Sequence, residues 1–252
     1  MSQVTLDISG ELATIMLNRP EKRNALNPEM LQALEDHVIT LESNQDVRVV
    51  IITGAGEKAF CSGADINAWS ALNPLAMWKE WIPKGQRILS RLETLRQPVI
   101  ALLNGYAFGG GLELALACDL RIASNSATFA MPEVTIATIP GWGGTERLPK
   151  IIGVSRAVSM ILTGTTIDAD TALNWGLATQ VCPSEDLKNA GTTLASTICN
   201  NAPIAVQIAK QMIHSQCASL ESIAGSLSAF TADGKEGLLS FTERRKPDYK
   251  GS

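Results

Sequence analysis

Two stretches, Val49-Val50-Ile51-Ile52-Thr53-Gly54 and Ile100-Ala101-Leu102-Leu103-Asn104-Gly105, decide the fold class. Each is an unbroken apolar run, then a polar residue and a glycine, then a loop rich in Gly and Ala. An apolar run without alternation reads as a strand covered on both faces, the kind that parallel sheets use. The repeated pattern predicts successive turns of a β-β-α core. Two comparable loops, Gly54–Asp65 and Gly105–Gly111, then lie at the same edge.

The neighbouring segments fit around these strands. Val4, Leu6 and Ile8 alternate, and Leu12, Thr14 and Met16 follow after Gly10. This predicts two strands joined at Ser9-Gly10-Glu11. Asn27-Pro28-Glu29 is a helix start, with a cap, a proline at the first position and an acid in the first turn. Leu31, Leu34, Val38 and Leu41 carry that helix to about Asn44. Residues 72–97 read mainly as helix, interrupted near Pro83. An apolar helix over Leu112–Cys118, a strand over Leu120–Ala123 and a loop over Phe129–Gly144 come next. From about Thr145 the chain is mostly helical, broken by the short apolar segment Leu177–Cys182.

The chain has 252 residues, 45% apolar and 18% charged, enough for a sizeable core, which excludes global disorder. No flexible linker divides it. A formal charge of -4 speaks against non-specific nucleic-acid binding. The N-terminus lacks a basic, apolar leader. No apolar run approaches the ~18 residues of a membrane span. Lys250-Gly251-Ser252 is no peroxisomal address. Cys61, Cys118, Cys182, Cys199 and Cys217 are scattered, without a CxxC pair. The expectation is a soluble, cytoplasmic protein with reduced thiols.

Several chemistries are missing. There is no GxSxG elbow, no GxxxxGK[ST] loop and no complete GxGxxG. His37 and His214 stand alone, which argues against a His-based metal site or a Ser-His triad. What remains is two carboxylates beside glycine-rich backbone. Glu113 is the lone charge in an apolar helix just after Gly109-Gly110-Gly111. An unpaired buried carboxylate is expensive, so it implies a task or a partner. A helix-dipole carboxylate is the bland alternative, and the residues alone leave both open. The glycine triplet at a helix start exposes backbone N–H groups, as an oxyanion site requires. The loop Phe60-Cys61-Ser62-Gly63-Ala64-Asp65 can supply a second N–H. Glu133 follows the rigid Pro132, and without further context it reads as a turn residue. Cys61 has no activating His nearby and reads as a packing thiol, and Asp65 as a helix cap. Lys22-Arg23 and Arg244-Arg245-Lys246 with Lys250 are small basic clusters, fit for a phosphorylated ligand or for solvated helix ends.

At this point the residues resemble the enoyl-CoA hydratase/isomerase, or crotonase, superfamily, closest to its two-glutamate hydratases. The resemblance is carried by Leu17-Asn18-Arg19-Pro20 with Asn24-Ala25-Leu26, then Lys58-Ala59-Phe60-Cys61-Ser62-Gly63-Ala64-Asp65-Ile66. It continues through Asn104-Gly105-Tyr106-Ala107-Phe108-Gly109-Gly110-Gly111-Leu112-Glu113, Pro132-Glu133 and Ile139-Pro140-Gly141. It ends with Leu162-Thr163-Gly164, Trp175-Gly176-Leu177, Lys235-Glu236-Gly237 and Arg245-Lys246-Pro247.

The resemblance implies a crotonase-like α/β spiral of β-β-α units over residues 1–200. Residues 201–252 would form a helical trimerisation region, giving a homotrimer or a dimer of trimers. It implies an acyl-CoA thioester as ligand, with its oxygen on the N–H groups of Ala64 and Gly110. Glu113 and Glu133 match the catalytic pair. Lys22, Ala59, Ser62, Asp65, Ile66, Gly141 and Trp142 match substrate-binding positions. The basic C-terminal segment matches the part that reaches the CoA phosphates. Trp69, Trp78, Trp81 and Trp142 imply a narrowed or aromatic-lined acyl pocket. No cofactor or metal is implied, because coenzyme A belongs to the substrate, and no nucleic acid or membrane partner is implied either. The implied reaction is hydration of a 2-enoyl-CoA to a 3-hydroxyacyl-CoA. The rivals are a Δ3-Δ2-enoyl-CoA isomerase, which needs only one carboxylate, or another acyl-CoA transformation of the same superfamily; two glutamates favour the hydratase.

Overall fold

The computed structural model describes residues 2–215 and 217–252. Strands β1 (Val4–Ser9) and β2 (Leu12–Leu17) form the expected hairpin, with Ser9 opposite Leu12. Helix α1 (Pro28–Ser43) starts where its cap predicts: the Asn27 side chain accepts from the Met30 N–H at 2.8 Å. Three strand pairs then repeat. β3 (Val49–Gly54) runs into β4 (Ala59–Cys61), β5 (Val99–Leu103) into β6 (Tyr106–Phe108), and β7 (Leu120–Ser124) into β8 (Thr128–Ala130). The first members of the pairs line up parallel in one sheet, and the second members line up parallel in another. With β9 (Ile167–Asp168) and β10 (Gln180–Cys182), the sheet orders are β1-β2-β3-β5-β7-β10 and β4-β6-β8-β9.

The echo in the sequence is therefore one turn of a spiral. Its glycines have a physical reason at the corner between sheets. A Cβ on Gly54 would lie 2.4 Å from the Phe60 carbonyl oxygen, and one on Gly105 would lie 2.3 Å from that of Lys58. Only glycine lets the chain pass so close to itself. The unbroken apolar runs also find their cause. Val50, Ile52, Ala101 and Leu103 face the main core, while Val49, Ile51, Ile100 and Leu102 face a second, smaller one. Each of these Val, Ile and Leu side chains contributes about 1.5–3 kcal/mol through burial.

Helices fill the space between turns. After β4 come α2 (Ile66–Trp69), α3 (Pro74–Ala76), a π-helical turn at Met77–Trp81, and α4 (Ile82–Glu93). The predicted break near Pro83 is this wide turn. Pro83 follows that turn directly, at the second residue of α4. α5 (Gly110–Leu116) follows β6, and α6 (Gly144–Ile152), α7 (Val154–Thr163) and α8 (Ala169–Trp175) follow β8. α9 (Leu187–Cys199) covers the second core. α10 (Pro203–Ser215), α11 (Glu221–Phe230) and α12 (Ala232–Glu243) complete the chain.

The sequence reading misses β4, β6 and β8. Each has three residues inside a segment read as loop, too short to show a period. Among the described residues, no helix is long and apolar enough to cross a membrane.

Candidate active site

The site forms where the β4 loop meets the start of α5. Residues 23–26 pair with residues 62–65: Ser62 N–H donates to the Arg23 carbonyl, Leu26 N–H to that of Gly63, and Asp65 N–H to that of Leu26. Buried Asn24 fixes this segment, donating to the Ala55 and Ala59 carbonyls. Among the described residues, the N–H groups of Ala64 and Gly110 have no internal acceptor. They lie side by side, since a Cβ on Gly110 would be 3.4 Å from the Ala64 nitrogen. Gly109, at φ 51° and ψ -125°, turns the chain from β6 into the helix and leaves the Gly110 N–H facing outward. Two adjacent free donors, one at a helix start, attract a partly negative oxygen.

Glu113 sits in the first turn of α5, buried with 2% exposure. Its Oε1 accepts from the N–H groups of Trp142 at 2.7 Å and Gly144 at 2.8 Å. Both bonds fall on one oxygen, leaving Oε2 for a ligand. Burial pushes the Glu113 carboxyl above its ordinary value, and these N–H groups oppose the rise. The loop that supplies them is held in turn by Arg147. Its guanidinium donates to the Trp142 carbonyl at 2.8 Å and to Glu93 at 2.7 Å.

Glu133 opens a 3-10 turn, Glu133–Ile136, directly after Pro132. The Thr135 hydroxyl caps that turn on the Pro132 carbonyl at 2.7 Å. Glu133 is half-buried, and its Oε2 is buried without a partner among the described residues. The other oxygen lies over Gly109, where a Cβ would come within 2.9 Å of it. Burial, helped by the charge of Glu113, pushes the Glu133 carboxyl up to about 7.

Both carboxylates line one cavity of about 150 Å³. Ser62, Ala64, Ile66, Gly110, Gly141 and Trp142 line it too, as does Trp69 with Trp81. Lys22, Ala59 and Asp65 do not. Ala59 is buried in β4, Lys22 is exposed on a short turn, and Asp65 caps α2 and pairs with Arg19 at 2.6 Å. The Arg19 guanidinium holds the Asp65 carboxyl below its ordinary value. Trp78 is 69% exposed and lies outside the cavity, in contrast to the expectation for the tryptophan set. The π-helical turn resets the helical phase, so Trp81 points inward and Trp78 outward. Cys61 is fully buried and its thiol is pushed up to about 12, as a packing thiol should be. Of the C-terminal basic residues, Arg245 is committed to Glu236 and Glu243, and Lys250 to Asp248.

The sequence reading misses Arg147 and Glu93, which join through space from two helices. It also misses Met77, Ile136 and Ile139 on the cavity wall. Among the described residues, no group of three or more His, Cys, Asp or Glu is arranged to hold a metal.

The model of the family described as enoyl-CoA hydratase/isomerase matches residues 7–252. The short-chain-enoyl-CoA hydratase of Clostridium acetobutylicum is 40% identical, covering 98% of this chain and 97% of that one. The (E)-benzylidenesuccinyl-CoA hydratase of Thauera aromatica is also 40% identical, covering 99% of each chain. The crystal structure of an enoyl-CoA hydratase from Bacillus anthracis superposes with a TM-score of 0.95 at 40% identity, covering 99% of this chain and 100% of that one. A likeness that runs from the first hairpin to the last helix, in sequence and backbone alike, makes this chain a member of the enoyl-CoA hydratase/isomerase family.

Proposed function

We propose that this protein is an enoyl-CoA hydratase, adding water across the 2,3 double bond of a 2-enoyl-CoA thioester to give a 3-hydroxyacyl-CoA. The observation that carries this reading is the shared cavity: two carboxylates in unlike surroundings, beside two adjacent free N–H donors. The thioester oxygen accepts from Ala64 and Gly110. As water attacks the β-carbon, charge builds on that oxygen, and each donor stabilises it by on the order of 3 kcal/mol. Glu113, ionised, takes a proton from the attacking water through its free oxygen. Glu133, protonated near neutral pH, gives its proton to the α-carbon. Glu113 then returns a proton to Glu133 through the next water. Coenzyme A enters as part of the substrate, and these steps call on no other group.

Product analysis tests the reading. With 2-butenoyl-CoA the protein should form 3-hydroxybutanoyl-CoA, resolved by chromatography. With 3-butenoyl-CoA it should form little of anything. Rapid conversion of the 3-enoyl ester to the 2-enoyl ester, without hydration, would make the protein an isomerase instead.

The same reading includes assembly as a homotrimer or dimer of trimers, with residues 1–200 as the catalytic core and 201–252 as the joining region. Ile213, Ile223, Leu227, Phe230, Leu238 and Phe241 on α10–α12 are 74%, 66%, 59%, 80%, 72% and 83% exposed. So many exposed large apolar side chains on three helices support an interface there. Light scattering should give a trimer or hexamer mass, reduced by Phe230→Asp; a monomeric wild-type protein would reject the assembly. The cysteines are free thiols, which suits a reducing, cytoplasmic setting. Disulfides in protein purified under non-reducing conditions from its host would count against that placement.

A further inference from the structure

We infer that Trp142 is the end wall of the acyl pocket and confines the enzyme to short, uncharged 2-enoyl groups of about four carbons. The inference rests on the hydratase reading, whose site it describes.

The indole of Trp142 spans the gap between α5 and α4. Its six-membered edge packs on Gly110, where a Cβ would come within 2.6 Å of Cζ3. Its other edge packs on Gly85 of α4, where a Cβ would meet Nε1 at 2.1 Å and Cδ1 at 2.4 Å. Glycine inside a helix is disfavoured. Here the missing side chain is the space the indole occupies. Trp81 backs the ring, with centroids 5.6 Å apart and planes inclined at 49°. Trp142 and Trp81 are only 3% and 7% exposed, so neither ring has room to swing aside.

The whole cavity that this wall bounds, carboxylates and N–H donors included, is about 150 Å³. An apolar cavity of roughly that size holds a benzene-sized guest, about six heavy atoms. The four carbons and carbonyl oxygen of a 2-butenoyl group, with one attacking water, make the same number. Among the described residues lining the cavity, the ionisable side chains are Glu113 and Glu133 alone. An acyl tail ending in a carboxylate would find no cation there and two like charges.

The test compares kcat/KM for 2-butenoyl-, 2-hexenoyl- and 2-octenoyl-CoA in the wild type, Trp142→Ala and Trp142→Phe. Thermal melts accompany each protein. The wild type should lose at least tenfold from four carbons to eight. Trp142→Ala should bring the two lengths within about threefold, and Trp142→Phe should help the six-carbon ester alone. A wild type indifferent to length would overturn the inference without any variant. So would a cooperatively melting Trp142→Ala or Trp142→Phe protein with the wild-type ranking, which marks mere core packing. Calorimetric binding of saturated butanoyl- and octanoyl-CoA separates the wall from the chemistry. If no length is hydrated yet butanoyl-CoA binds at least tenfold tighter, the hydratase reading falls and the wall stands; equal binding removes the wall.

Discussion

Glu113 and Glu133 face the same cavity and differ in what surrounds them. Glu113 sits inside a helix, nine-tenths or more buried, with two N–H donors on one oxygen and Arg147 behind the loop that offers them. Glu133 sits on a short turn, half-buried, with one oxygen left without a partner. Burial raises both carboxyls above their ordinary values, but only Glu113 has donors from another element that oppose the rise. In the proposed mechanism this contrast makes one residue type a held base for water in one place and a ready acid for carbon in the other. The contrast depends on neighbours that belong to other elements, so each prediction alters one of those neighbours or the carboxylate itself.

The largest effect is expected from removing either charge. Glu113→Gln and Glu133→Gln should each slow hydration by more than ~100-fold, with acyl-CoA binding largely kept. Steady-state rates beside calorimetric binding check this. A Gln variant with near-normal turnover would reduce its glutamate to a bystander.

A smaller effect follows from pH. The proposed mechanism needs Glu133 protonated, so kcat/KM should fall as pH rises through about 7. Stability should move the same way. The folded protein holds this proton more tightly than the unfolded chain, whose carboxyl titrates near 4.5. The contribution is full below about pH 4.5 and is lost as pH rises through about 7, on the order of 2 kcal/mol after allowance for partial exposure. Urea melts of wild type and Glu133→Gln from pH 5 to pH 8 should converge at the acid end and separate at the alkaline end, with Gln the more stable. Parallel curves would mean that Glu133 is not held neutral.

The smallest effect concerns the support behind Glu113. Glu93→Gln weakens the partner of Arg147 and should lower stability by about 2 kcal/mol in urea melts. Activity should drop less than tenfold, because the Trp142 and Gly144 donors are backbone groups. A loss as large as that of Glu113→Gln would place Arg147 closer to the chemistry than its contacts do.

Much of this fold and site is legible in the sequence. β3 and β5 announce themselves because both faces of each strand are buried, which removes polar residues over four or five positions. α1 announces itself through Asn27-Pro28. Glu113 and the glycine triplet stand out because charge and bare backbone are anomalous in an apolar helix, whereas Glu133 reads as a turn residue until the family resemblance matches it to the catalytic pair. Other features leave no local trace. β4, β6 and β8 are too short for a period. Trp78 and Trp81 look equivalent until a π-helical turn separates them. Gly85 is an ordinary helix glycine until an indole from the Trp142 loop lies on it. Arg147 and Glu93 become a pair only when α6 packs beside α4. Contacts between distant elements have no periodicity to read.

Exchange of the α-proton tests the division of labour most directly. Butanoyl-CoA is saturated, so it takes up no water, yet its α-proton can be removed and returned while the thioester oxygen rests on the Ala64 and Gly110 donors. In heavy water near neutral pH, followed by NMR, the wild type should introduce deuterium at that carbon. Glu113→Gln should retain most of this exchange although it no longer hydrates, and Glu133→Gln should lose it. Exchange at the wild-type rate by Glu133→Gln, or its loss only in Glu113→Gln, would contradict the assignment of the two carboxylates.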